Sequence, residues 1–121
     1  MKEFIRKWFE GLPKIERDEY LIIYQNKVYT PRHVLEEVEK DSALGKDLQR
    51  VIEQKKFTSA LDKYQLAIIR LKRFLEGAPE FKMAVGPRVY TARELLEEIQ
   101  KGSKLGRGLI EAEIRKIEIL I

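Results

Sequence analysis

Apolar residues along the chain alternate between the three-four spacing of helices and short runs typical of strands. Phe4, Ile5, Trp8 and Phe9 share one helical face. That helix should stop at Gly11 as a left-handed cap, with Pro13 preventing continuation. Tyr20–Tyr24 and Lys27–Tyr29 then read as a hairpin around Gln25-Asn26, because Asn tolerates the positive φ of a two-residue turn. Thr30 caps a short helix and Pro31 fills its first turn, where a missing N–H costs nothing. Val34, Leu35 and Val38 form its inner face, with Tyr29 at staple distance from Val34. After a tight corner, Ser42 caps another helix that turns Leu44, Leu48, Val51 and Ile52 inward.

The same succession then repeats. Leu61, Tyr64, Ile68, Leu71 and Leu75 lay out a longer helix, widened by Ala60, Ala67 and Phe74 and ended by Gly77 and Pro79. Phe81–Val85 and Arg88–Tyr90 flank a Gly86-Pro87 turn. Thr91 with Glu94 makes a capping box ahead of Leu95, Leu96 and Ile99; His33 holds that place in the first half, so the box is lost there. Ser103 caps the last helix, whose inner positions are Leu105, Leu109, Ile110, Ile114, Ile117 and Ile121. Isolated hairpins are marginal, so the two are expected to pair with one another or to lie on the helices.

Residue identities carry this further than element order. Between Val28–Leu48 and Val89–Leu109, at an offset of 61, 12 of 21 positions are identical. Upstream, Ile5–Pro13 lies over Leu71–Pro79 at a different offset, because the first copy carries five extra residues, Lys14–Asp18. The expectation is a mainly α (α+β) fold: a tandem duplication of a helix–β-hairpin–helix–helix unit with pseudo-two-fold symmetry. One domain, 1–121, would hold a first repeat at 1–58 and a second at 59–121, since about 60 residues bury a core poorly alone.

Composition narrows the chemistry. Cysteine is absent and histidine occurs once, which removes thiolate catalysis, disulfides and cysteine-held metals. No apolar run approaches the roughly 20 residues that span a bilayer, and the opening Met1-Lys2-Glu3-Phe4 does not resemble a secretion signal, so a cytoplasmic location is expected. Abundant charge with a single Asn suggests a thermophile. A net charge of +4 is too mild to mark a polyanion binder by itself.

Five candidate features remain. The paired carboxylates Glu36-Glu37 and Glu97-Glu98 diverge by about 100° on a helix, so they read as solvated surface. His33 lies near a helix N-terminus, where the dipole disfavours its cation. Gly45 and Gly106, each in Ser-x-x-Gly, suit close helix approach. The second of these corners is also basic, so Lys101, Ser103, Lys104 and Arg107 form a candidate anion or nucleic-acid site. Arg6, Lys7, Arg70, Lys72 and Arg73 sit where cations complement helix C-termini, with nucleic-acid phosphates as the alternative ligand. The apolar end Ile119, Leu120, Ile121 suggests a homo-oligomeric contact. No nucleophile–base pair, metal set or cofactor fingerprint stands out, and no small-molecule substrate is implied. The resulting expectation is a non-catalytic interaction or assembly protein, of the kind carried by a virus or mobile element. Nucleic-acid binding is the alternative.

Overall fold

The computed structural model describes residues 2–54 and 60–121, with the side chains of Ala60 and Leu61 outside that description. The expected boundary between 58 and 59, and the inward position of Leu61, therefore lie outside the described residues. The chain is mainly helical with two small antiparallel hairpins. Its elements run α1 (Lys2–Gly11), a 3-10 turn (Lys14–Asp18), β1 (Ile22–Tyr24), β2 (Lys27–Tyr29), α2 (Pro31–Glu39), α3 (Ala43–Glu53), α4 (Ala60–Gly77), β3 (Lys82–Val85), β4 (Arg88–Thr91), α5 (Ala92–Lys101) and α6 (Lys104–Leu120).

Local signals set most of these boundaries. Thr30 and Thr91 accept from the backbone N–H three residues on, and Glu94 returns the bond to complete a capping box. Gln25 (φ 49°) and Asn26 (φ 62°) both take the left-handed conformation that a two-residue hairpin turn requires, and Gly86 (φ 59°) does so in the second hairpin. Gly11 and Gly77, expected as left-handed caps, are not among the positive-φ residues. Leu12 N–H instead bonds back to the Phe9 carbonyl (3.2 Å), and the following proline stops α1 without an αL residue.

The two hairpins form separate two-stranded sheets, so they lie on helices rather than on each other. Their surroundings differ. In the first hairpin, Ile22 and Tyr29 are register partners facing a core of Ile5, Val34, Val38, Leu48 and Ile52. Its other face, with Leu21 and Val28, enters a second core of Leu66, Ala67, Leu75, Leu95, Ile110 and Ile117. The β1–β2 hairpin is thus buried on both sides. In the second hairpin, Met83 and Tyr90 pack on the second core, whereas their neighbours Ala84 and Val89, also register partners, face solvent.

Helix α4 departs from its expected stripe. Leu66, Ala67, Arg70 and Leu75 are its buried positions, while Tyr64 and Phe74 are exposed. The shift follows from α4 being packed by both β1 and the α5–α6 pair, which draws a charged residue inside.

Candidate interaction surfaces

The basic corner between α5 and α6 is tightly organised. Gly102 (φ 66°) turns the chain, and Ser103 Oγ accepts from Gly106 N–H (3.0 Å) while donating to the Glu98 carbonyl (3.2 Å). Lys101 Nζ lies 2.8 Å from Glu98 Oε2. Lys101 and Ser103 together hold the Glu98 carboxyl below its ordinary value, so a resident carboxylate already occupies this corner. Of the four predicted anion-site residues, Lys101 and Ser103 are engaged in the corner, and Lys104 and Arg107 are exposed.

The corner between α2 and α3 is built from the same parts. Ser42 Oγ accepts from Gly45 N–H (2.9 Å) and donates to Glu37 Oε1 (2.9 Å), and Lys40 Nζ lies 2.9 Å from Glu37 Oε2. Lys40 and Ser42 depress the Glu37 carboxyl in turn. Asp41 (φ 57°) takes the left-handed position that Gly102 fills in the other corner. Glu37 and Glu98 are therefore structural, a role their adjacency to Glu36 and Glu97 does not reveal. His33 is exposed, with its ring edge on Tyr29 (centroids 5.1 Å apart) and Nε2 3.9 Å from Glu37.

At the end of α6 the three candidate contact residues part ways. Ile119 is 83% exposed. Leu120 packs on the second core and Ile121 touches both cores. The indole N–H of Trp8 donates to the Leu120 carbonyl (3.2 Å), tying α6 to α1.

A cluster that local sequence patterns missed lies where α4 and α6 meet the 3-10 turn. Arg70 is buried and donates through Nη1 to the Tyr20 carbonyl (2.8 Å) and through Nε to Glu113 (3.1 Å). Its Nη2 stands 2.9 Å from Glu16 Oε1, and Lys116 Nζ lies 3.2 Å from Glu16 Oε2. Glu16 belongs to the Lys14–Asp18 turn, so a segment of the first half supplies the counter-ion for a helix of the second. Arg70 is thus neither a helix-end cation nor a phosphate ligand. Beside it opens a cleft of about 370 Å³, rimmed by the exposed side chains of Ile15 and Phe74. Arg73 completes the contact, pairing with Glu19 (3.4 Å) and covering the Tyr20 ring at 4.8 Å.

Other exposed apolar residues lie in both halves, Phe4 in the first and Tyr64, Phe74, Val85 and Val89 in the second. Val89 is 56% exposed and Phe74 52%, the latter edge-on to Phe81 with centroids 5.0 Å apart. Trp8, which aligns with Phe74, is half-buried and hydrogen-bonded; Val28, which aligns with Val89, is half-buried against the second core. No protein-family model matches the chain, and no curated protein or solved structure is significantly similar to it.

Proposed function

We propose that the protein is a non-catalytic assembly protein. In this reading it is one domain made by tandem duplication of a helix–hairpin–helix–helix unit. It associates with further copies through apolar side chains that its second half displays: Phe74, Val89 and Ile119. The shared corners, with the same Glu, Lys, Ser and Gly in the same roles, support the duplication. The observation that carries the assembly reading is the unequal treatment of the hairpins. What the first buries on both faces, the second leaves open on one. An apolar face left in water supports an interaction site there.

Light scattering of the full chain across a wide concentration range tests this. The expected result is a mass that rises with concentration. A monomer throughout overturns the assembly reading. A monomer that gains mass only on addition of duplex DNA, in a salt-sensitive way, replaces it with the nucleic-acid alternative centred on Lys104 and Arg107.

A further inference from the structure

We infer that copies of the chain associate head to tail, the outer stripe of α1 in one copy covering the open face of the β3–β4 hairpin in the next. This inference rests on the assembly reading above and names its partner surfaces. The chain itself supplies the template, because the corresponding face of the β1–β2 hairpin is covered by α4. There, Leu21 and Val28 share a core with Leu66 and Ala67, Arg73 pairs with Glu19 and lies over the Tyr20 ring, and Arg70 reaches the Tyr20 carbonyl.

The two sequence alignments transfer the Arg70–Arg73 end of this contact, whereas Leu66 and Ala67 fall before α1 begins. Helix α1 aligns with α4 so that Phe4 stands for Arg70 and Lys7 for Arg73. The second hairpin aligns with the first so that Glu80 stands for Glu19, Phe81 for Tyr20, Ala84 for Ile23 and Val89 for Val28. The helix side is presented: Phe4 is 43% exposed, and Lys7 is exposed and paired with Glu3 in its own helix (3.6 Å). The opposite flank of α1 is committed to the end of α2 and the turn after it through Arg6–Glu39 (2.6 Å) and Lys2–Asp41 (2.9 Å). The hairpin side is presented as well, with Glu80, Ala84 and Val89 all exposed.

Charge is complementary across the transferred contact. Lys7 faces Glu80 as Arg73 faces Glu19. The one change of character also agrees. Arg70 needs Glu16, which the Lys14–Asp18 insertion provides; the second half has no such insertion, and the helix residue that would meet its hairpin is apolar Phe4. A contact between two unlike surfaces is heterologous, so each copy keeps one surface free to continue the series, unless the rotation closes a ring.

The experiment uses two full-length variants, Val89→Glu and Phe4→Glu, both at exposed positions, with far-UV circular dichroism confirming their helicity. Each alone is expected to be monomeric at concentrations where the parent associates, with affinity at least about tenfold weaker. Mixed together they should form a one-to-one heterodimer and stop there, because V89E keeps its α1 stripe and F4E keeps its hairpin. If the parent associates but the mixture does not, the head-to-tail arrangement is overturned and the assembly reading stands. Association of V89E as strong as the parent's overturns it equally. A monomeric parent removes both. A milder pair guards against misfolding: Lys7→Glu should weaken association by about threefold, and Glu80→Lys in the same chain should restore it. No recovery in the double variant counts against the arrangement.

Discussion

A β-carbon placed on Gly106 would stand 2.6 Å from the carbonyl carbon of Glu98, and one on Gly45 would stand 2.6 Å from that of Glu37. Backbone cannot yield as the end of a long side chain can, so the helices themselves must part. Gly106→Ala should therefore lower stability by about 1–3 kcal/mol, as overpacking of a tight contact does. Gly108→Ala is the control: it lies in the same helix with open space around it, and should stabilise by about 0.5–1 kcal/mol through helix propensity. Chemical denaturation of the two variants checks the pair, and equal effects would remove the close-approach account. The Ser-x-x-Gly spacing made this corner legible from sequence, because cap and glycine are local features. The part played by Glu98 was not legible. Its partner Ser103 is five residues away across a turn, and only the fold brings the carboxylate under the lysine.

Local signals came out as their sequence reads in both turns, all four Thr and Ser caps and the capping box, though not in the Gly11 and Gly77 caps. What the pattern could not say is which face of a hairpin meets solvent, since apolar residues line both hairpins and only packing separates Val28 from Val89. The caps and corners also set a pH response. Partners depress the carboxyls of Glu37, Glu94 and Glu98 in the folded chain: Lys40 and Ser42 for the first, Thr91 and Arg88 for the second, Lys101 and Ser103 for the third. A carboxyl lowered by folding contributes stability above its ordinary value of 4.5, and that stability is lost as pH falls through the lower folded value. Thermal melts should thus decline with acid below about pH 4.5. Glu98→Gln should be less stable than the parent near neutrality, and the gap should close as acid protonates the parent's carboxyl. A gap that stays constant down the acid limb would mean that the Glu98 charge contributes nothing to the corner.

At the scale of the whole molecule, the two halves exchange parts. Leu12 and Leu21 of the first half are buried in the second core, and Ile121 of the second half reaches the first. Trp8 touches both cores and holds the end of α6 through Leu120. Arg70 adds a polar clasp from α4 to the 3-10 turn and the Tyr20 carbonyl. Local periodicity could not show this clasp. The Lys14–Asp18 segment carries no pattern that points to α4, and the Glu16–Arg70 pair spans 54 positions. Interlocked cores should lose structure together, so the intrinsic fluorescence of Trp8, the single tryptophan, should report the same transition as far-UV ellipticity. Arg70→Ala is the sharpest probe, because it leaves the carboxylates of Glu16 and Glu113 inside without their guanidinium. Breaking one side of a buried ion cluster costs about 3–5 kcal/mol. Lys116, still beside Glu16, should keep the loss toward the lower figure. In a shared fold this loss moves both probes by the same amount, although Trp8 and Arg70 lie in different halves. If ellipticity shifts while the Trp8 signal stays at the parent's midpoint, the halves fold independently and the clasp serves only the second.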